Sequence, residues 1–238
     1  MIHVPAIPML HPVFEALAYT AGYAVHRRLA ADAARPIEET SRWLVIAGAG
    51  VGALIGARAL GLLAQGPAVF ALGWKALLVP GGKTVVGGLL GGWLGVELAR
   101  RVAGVRERSG NLFALPLVVG IVVGRIGCLF AGLADDTVGV PTTLPWGCDF
   151  GDGVARHPTS AYEIGVLAAL GLFLVDRARR PVAPGALFRY FLATYLGWRF
   201  VVDFLKPGWA PGGLGPIQWA CLAGLGGLAA ERAFRRAA

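Results

Sequence analysis

Seven apolar stretches divide the chain, each close to the length that crosses a lipid bilayer. They fall at residues 12–29, 42–64, 84–101, 112–132, 160–176, 186–205 and 216–234. A transmembrane helix needs about 20 apolar residues, whereas barrel strands alternate apolar and polar positions. The unbroken runs therefore predict an all-α, polytopic membrane protein with about seven transmembrane helices. A shorter apolar segment, 67–79, ends before Pro80-Gly81-Gly82 and is predicted to be a partial or interfacial helix.

The composition excludes two other classes of protein. Hydrophobic residues make up 56% of the 238 residues and charged residues only 15%, with 36 glycines in addition. A disordered chain is polar and charged, and a soluble globule could not hide this much apolar surface from water. We expect a single integral-membrane domain over 1–238. The three cysteines are widely spaced and form no CxxC pair, so no metal site, disulfide framework or cofactor is predicted.

The basic residues are distributed asymmetrically along the chain. Fourteen of the 22 Lys and Arg lie in or beside loops 30–41, 102–111 and 177–185 and at the C-terminus, and only four lie in the alternate loops. Basic loops face the cytoplasm, so the N-terminus is predicted outside and the C-terminus inside, with loop 133–159 as an outward-facing functional loop. Because the charges flank apolar runs, nucleic-acid binding is not predicted. No Lys or Arg precedes Arg27, so the first helix is expected to be retained.

Glycines recur every four residues inside several of these runs. The repeats are Gly48, Gly52 and Gly56; Gly87, Gly91 and Gly95; and Gly120 and Gly124. Small residues at this spacing let two helix backbones approach closely, so packing is the expected role. The chain contains no internal sequence repeat, which gives an inverted-repeat transporter no support.

Ionisable residues inside the apolar runs are the first functional candidates, because they are costly in a membrane. Arg125 lies between Gly124 and Gly127, and its guanidinium has donors that match a phosphate. Arg199 and Asp203 are four residues apart, a spacing that places them on one helix face. Either arginine could instead form a purely structural ion pair. Alternatively, Asp203 orients Arg199 toward an anionic ligand.

Further candidates lie in loop 133–159 and at the start of the next helix. The loop holds Asp135, Asp136, Asp149, Asp152 and His157. An imidazole can act as a general base near neutral pH without tuning, so His157 is a candidate for that role. The acidic residues fit no EF-hand spacing. Glu163 has two possible roles: it is a candidate catalytic residue, or it completes a capping box with Thr159 or Ser160.

Five segments of the chain resemble the prolipoprotein diacylglyceryl transferase family, in the same order. They are GGKTVVGGLLGG (81–92), GRIGCLFAGL (124–133), VGVPTTLPWG (138–147), RHPTSAYE (156–163) and GWRFVVDFLKP (197–207). The resemblance implies a multi-pass enzyme of the bacterial cytoplasmic (inner) membrane. Its partners would be phosphatidylglycerol, which donates the diacylglyceryl group, and a prolipoprotein signal peptide, whose lipobox cysteine thiol accepts it.

The resemblance also assigns roles to particular residues. Arg125 and Arg199 match the family's functional arginines, Asp203 stands where the family has Glu, and Gly139 matches a glycine before Pro-Thr. Tyr19 or Tyr23 matches a tyrosine of the family's first helix. The expected lipid-binding set is therefore Arg125, Arg199, Gly139 and Tyr19. The expected catalytic set is Arg125, Arg199, His157, Asp203 and Glu163.

The chain departs from the family pattern at several positions, which is typical of a divergent branch. Cys128 and Ala131 replace two asparagines, Leu133 replaces a glutamate, and two extra residues bring in Asp135 and Asp136. Val86 stands where the glycine-rich segment commonly has a histidine. These departures leave two alternatives to the family reaction: transfer to another acceptor, or phospholipid binding without catalysis.

Overall fold

The computed structural model describes residues 2–31, 38–78, 82–135 and 137–237. The chain is 73% helical with little sheet, which confirms the predicted all-α class. Within these residues there are seven α-helices: α1 (Leu10–Ala31), α2 (Glu39–Ala64), α3 (Val85–Val102), α4 (Asn111–Ala131), α5 (Thr159–Ala178), α6 (Ala186–Val202) and α7 (Pro216–Ala237). Each predicted apolar run falls on one of them.

Three of the described helical segments are long and apolar enough to cross a membrane. They are Glu39–Ala64, Asn111–Ala134 and Thr159–Ala178. The segment Pro67–Leu78 is a 3₁₀ helix interrupted at Gly73, where φ is +56°, so it does not form a continuous α-helix. This irregular segment agrees with the predicted partial helix.

The chain forms two compact units. The first comprises residues 1–34 and 108–207 and contains α1, α4, α5 and α6. In it α1 packs antiparallel to α4, and α4 packs against α5 and α6. Small residues permit the first of these contacts, because a Cβ at Gly127 would lie 2.6 Å from Phe14 Cβ and one at Gly120 would lie 3.3 Å from the Ala18 carbonyl oxygen.

The second unit comprises residues 35–107 and 208–238 and contains α2, α3 and α7. Here the predicted glycine repeats face each other across α2 and α3: Gly48, Gly52 and Gly56 meet Gly95, Gly91 and Gly87 in antiparallel order. A Cβ at Gly48 would lie 2.8 Å from the Gly95 carbonyl oxygen. Any larger side chain along this line would force the two backbones apart, so the packing role of the repeats is confirmed.

A small sheet in the first unit was not foreseen from the sequence. Strand β1 (Ile2–His3) pairs in parallel with β2 (Cys148–Asp149), which forms an antiparallel hairpin with β3 (Ala155–Arg156). The strands are two residues long, too short for a period-two pattern to be recognised. The hairpin ties part of loop 133–159 to the start of the chain.

The acidic residues of this hairpin stabilise its turn. The carboxylate of Asp149 accepts hydrogen bonds from the backbone N–H groups of Gly151, Asp152 and Gly153 at 2.8–3.1 Å. These bonds lower the pKa of Asp149, since they favour its charged form. Asp152 pairs with Arg156 at 2.6 Å. Both carboxylates therefore have structural partners within the loop.

Candidate active site

A buried carboxylate lies at the centre of the candidate site. Glu163, in α5, is only 1% exposed. Its Oε1 lies 2.9 Å from Nε of Arg125, and its Oε2 lies 3.4 Å from Nη1 of Arg199. The hydroxyl of Tyr195 donates a hydrogen bond to Oε1 at 2.7 Å. One carboxylate thus joins two arginines that come from different helices.

The packing of α4, α5 and α6 brings these side chains together. Arg125 lies in the last two turns of α4, and Glu163 lies in the second turn of α5. One face of α6 and of the turn after it carries three of the side chains at intervals of four residues: Tyr195, Arg199 and Asp203. Arg199 Nη2 donates to Asp203 Oδ1 at 3.1 Å, so the ion pair suggested by the sequence spacing is present.

Arg199 retains a buried donor without an acceptor among the described residues. Its Nε is inaccessible and makes no hydrogen bond, whereas Nε of Arg125 lies 2.9 Å from Oε1 of Glu163 in an ion pair. A buried donor without a partner is costly, and an anion placed beside it would satisfy it. The ion pairs with Glu163 and Asp203 therefore leave hydrogen-bonding capacity for an anionic ligand.

A third cation adds to the positive charge of this cluster. Lys206 follows the short 3₁₀ turn after α6, near enough to Arg199 and Arg125 to be affected by their charges. Burial and the two like charges lower the pKa of Lys206 to about 7, against the attraction of Glu163 and Asp203. When Lys206 is protonated, the three cations exceed the two carboxylates by one charge. Such an excess of positive charge favours the binding of an anion.

Glu163 is not a helix cap, so the capping-box interpretation was wrong. The residue at the N-cap of α5 is Pro158, and no side chain caps this helix. The hydroxyl of Thr159 donates to the Thr137 carbonyl oxygen, and Ser160 Oγ lies 3.3 Å from the Thr137 hydroxyl. The carboxylate is engaged by the two arginines instead.

His157 contacts a different set of side chains. Its Nδ1 lies 3.2 Å from the hydroxyl of Tyr162, which accepts a hydrogen bond from Trp146 Nε1 at 2.8 Å. The ring is half-buried. His157 therefore belongs to an aromatic group on the loop side of the start of α5, and among the described residues it forms no hydrogen bond with the arginine cluster.

The two remaining lipid-binding candidates have different surroundings. A Cβ at Gly139 would lie 2.6 Å from both Cβ and the carbonyl oxygen of His157, so glycine lets this loop segment run against the chain before α5. Tyr19 is 73% exposed on α1, and Tyr23 is 63% exposed. Their roles toward a lipid stay predictions. Asp136, a weaker candidate, lies outside the described residues.

Comparison with known proteins gives the chain its family. The sequence model of the prolipoprotein diacylglyceryl transferase family matches residues 9–230. The chain belongs to this family. That finding confirms the resemblance of the five segments.

Individual relatives carry the same name. A phosphatidylglycerol–prolipoprotein diacylglyceryl transferase of Bordetella avium is 35% identical over 165 residues, 64% of this chain and 61% of the relative. Those of Cupriavidus pinatubonensis and Cupriavidus metallidurans are 35% and 38% identical over 131 and 127 residues, 53% and 49% of this chain and 46% and 45% of the relatives. The chain thus spans about half the length of the curated relatives it matches. No solved structure matches it.

Sequence reasoning missed two members of this buried cluster. Tyr195 is 1% exposed and binds Glu163, and its position one turn before Arg199 is the signal that could have identified it. Lys206 lies at the end of an apolar run, where a lysine is ordinarily a membrane-interface residue. Only the fold brings it near enough to Arg199 and Arg125 to be affected by their charges.

Proposed function

We propose that this protein transfers the diacylglyceryl group of phosphatidylglycerol to the lipobox cysteine thiol of a prolipoprotein. Membership of the prolipoprotein diacylglyceryl transferase family and the names of the relatives support this function. The observation that carries it is the buried pair Arg125 and Arg199, which share the carboxylate of Glu163, with the Nε donor of Arg199 still lacking an acceptor among the described residues. Two such guanidinium groups suit the phosphate of the lipid headgroup.

The reaction is a substitution at carbon. The sulfur of the acceptor thiolate attacks the glycerol carbon that carries the phosphate ester, and the carbon–oxygen bond to phosphate breaks. Glycerol phosphate leaves with the bonding electrons, and the thiol proton goes to a base. Arg125 and Arg199 would stabilise the charge on the departing phosphate, while Glu163 and Asp203 hold the guanidinium groups in place.

The base is proposed to be His157. Val86, which stands where the family commonly has a histidine, is 1% exposed in α3 and has no proton to exchange. An imidazole accepts a proton near neutral pH without tuning, and the thiolate is the reactive form of the acceptor.

The proposed setting is the bacterial cytoplasmic membrane. The seven α-helices would all cross it, with the N-terminus and loop 133–159 outside and the C-terminus in the cytoplasm. The alternation of basic loops supports this orientation. An outward-facing loop would place His157 on the side where a signal peptide presents its lipobox cysteine.

The direct test uses purified protein, phosphatidylglycerol vesicles and a lipobox peptide. Mass spectrometry should find the peptide heavier by one diacylglyceryl group on its cysteine. The same peptide with serine at that position is the matched control and should stay unmodified. Lipid binding without an adduct would favour the second candidate, a phospholipid-binding protein without catalysis, which the presence of Val86 supports. An adduct on another acceptor would favour the related transferase.

Replacing His157 with glutamine should slow the reaction and change its pH profile. Loss of a general base typically costs about 10²–10⁴-fold in rate. The acidic limb of the kcat/KM profile should disappear, because the group proposed to accept the thiol proton is then absent. Tyr162→Phe is the control, since it removes the hydrogen-bond partner of His157 and keeps the imidazole. A His157→Gln protein with the profile of the parent would remove His157 from the mechanism.

Binding of phosphatidylglycerol should weaken as the pH rises through the pKa of Lys206. The ammonium attracts the lipid phosphate below a pKa of about 7 and is neutral above it. The Kd should therefore increase by up to about tenfold between roughly pH 6 and pH 8. A Lys206→Arg protein stays charged and should bind equally at both values. A pH dependence that survives in this variant would point to another group.

The orientation can be tested across α5, which separates residues 154 and 179. In intact cells a membrane-impermeant thiol reagent should label Val154→Cys and should not label Arg179→Cys until the membrane is opened. Both positions are exposed, and the three native cysteines are buried, so the parent protein gives the background. The reverse pattern of labelling would invert the proposed topology.

A further inference from the structure

A second cluster of chemically reactive side chains lies in the first unit. It comprises His11, Cys128 and Asp135, each of which offers one metal-ligating atom, and these atoms all lie within 4.8 Å of one another. His11 Nδ1 is 3.7 Å from Asp135 Oδ2. The transferase chemistry proposed above uses none of the three.

Close helix packing builds this cluster. His11 lies in the first turn of α1, and Cys128 lies in the last turn of α4. Gly127 lets the two helices approach there, since a Cβ at this position would lie only 2.6 Å from Cβ of Phe14. The backbone N–H of Ile7 donates to the carbonyl oxygen of Phe130 at 2.7 Å and fixes the chain just before α1.

A tight turn returns the third residue toward the other two. After α4, Gly132 has φ +58°, a conformation that favours glycine, and starts a 3₁₀ turn. The backbone N–H of Asp135 donates to the Gly132 carbonyl oxygen at 3.2 Å and closes that turn. Asp135 is thereby held beside the end of α4 that carries Cys128.

Two polar atoms of the cluster lack a hydrogen-bond partner. His11 Nδ1 and Asp135 Oδ2 are inaccessible and make no hydrogen bond to any described residue. Buried polar atoms in native proteins are nearly always satisfied, so two facing unsatisfied atoms indicate a missing partner between them. The thiol of Cys128 is buried and accepts a hydrogen bond from Arg125 Nη1 at 3.6 Å.

We propose that His11, Cys128 and Asp135 bind one divalent transition-metal ion, with zinc the best match. Imidazole nitrogen, thiolate sulfur and carboxylate oxygen are the three ligand types of protein zinc sites. Zinc bonds of about 2.0–2.3 Å at tetrahedral angles place ligand atoms roughly 3.3–3.8 Å apart. The His11–Asp135 separation of 3.7 Å already lies in that range.

Metal binding at this site has a simple charge balance. The S–H proton of Cys128 leaves for solvent as the sulfur–metal bond forms, and no group is oxidised or reduced. The thiolate and the carboxylate then neutralise the two charges of the ion, and His11 binds as a neutral ring. The side chain of His11 is 40% exposed, which gives the ion a route from solvent. Three protein ligands leave a fourth position for water or another donor.

The site departs from what the sequence predicts, because the three residues form no recognisable metal motif. Two of them, Cys128 and Asp135, stand where the chain departs from the family pattern. The metal site does not depend on the proposed transferase function, and the two can fail separately.

Cobalt absorption tests the proposal without lipid or peptide. Purified full-length protein is reduced, treated with chelator, freed of chelator and titrated with Co²⁺. We expect one equivalent to produce a thiolate-to-cobalt charge-transfer band in the near ultraviolet and the visible bands of a tetrahedral ion. Addition of Zn²⁺ should abolish both. The Cys148→Ser/Cys221→Ser double variant is the matched control and should retain the bands, since Cys128 is its only thiol.

Variants of the three ligands complete the test. Cys128→Ser should lose the charge-transfer band, and His11→Gln and Asp135→Asn should each weaken cobalt binding by more than about tenfold. A second measurement covers the case in which Cys128→Ser does not fold. Zn²⁺ should raise the melting temperature of the parent, and this rise should be smaller in His11→Gln and Asp135→Asn. Absence of the band in the parent, or its persistence in Cys128→Ser, would overturn the proposal. If the parent binds no cobalt and His11→Gln changes the transferase pH profile, the cluster is an acid–base pair.

Discussion

Replacing Arg125 with lysine is expected to lower the rate of diacylglyceryl transfer by about 10²–10³-fold, nearly as much as replacement with alanine. Lysine keeps the charge but loses the planar fork of donors that matches phosphate. It also cannot contact Glu163 and Cys128 at once as Arg125 does, through Nε at 2.9 Å and Nη1 at 3.6 Å. Initial rates with phosphatidylglycerol and lipobox peptide measure the loss.

Two further variants separate catalysis from packing. Asp203→Asn should be milder, because it disturbs the orientation of Arg199 and leaves both guanidinium groups present. Arg180→Lys is the control for the substitution itself, since Arg180 is an exposed residue that pairs with Asp176 on the protein surface. If Arg125→Lys keeps most of the parent activity while Arg125→Ala mainly lowers the melting temperature, Arg125 serves only to balance the buried carboxylate.

Replacing Glu163 with glutamine is expected to destabilise the protein by about 3–5 kcal/mol. Glutamine has the same shape, but it leaves Arg125 and Arg199 buried without the carboxylate that both contact. Removing one partner of a buried charge cluster costs far more than the ion pair contributes by itself, because the remaining charges stay out of water. Thermal unfolding in detergent should show a clear fall in melting temperature, accompanied by loss of transfer.

Matched substitutions define the size of this effect. Glu39→Gln removes a carboxylate that is 78% exposed and 3.8 Å from Arg42, so the melting temperature should barely change. Tyr195→Phe removes one hydrogen bond to Glu163 and should cost about 0.5–1.5 kcal/mol. An unchanged melting temperature in Glu163→Gln would mean that water or lipid compensates the two arginines.

The helical framework is largely readable from the sequence, because length and apolar character are local properties. The seven apolar runs coincide with α1 to α7, and the glycine repeats identify the contact line between α2 and α3. The Arg199–Asp203 pair follows from a spacing of four residues, which any α-helix places on one face. Arg125 could be selected as a candidate because a charge in an apolar run is costly wherever it lies.

The local patterns were misleading where a residue had two possible partners. Glu163 stands three residues after Ser160, the spacing of a capping box, and sequence spacing alone could not tell a cap from an ion pair. The short strands β1, β2 and β3 have too few residues to show a pattern. The turn between β2 and β3 is held by Asp149, which accepts hydrogen bonds from three backbone N–H groups of that turn.

By itself, then, the sequence determined the class of protein, the positions of the helices, the family and the arginines that could hold a phosphate. Only the tertiary structure decided which carboxylate these arginines share, since Glu163 and Arg199 are 36 residues apart and meet through the packing of α5 and α6. It also brought His11 beside Cys128 and Asp135. The physical reason is the same in both cases. A charge or a ligand atom interacts with the groups that the fold places within a few ångströms, and the spacing of residues along the chain does not specify that distance.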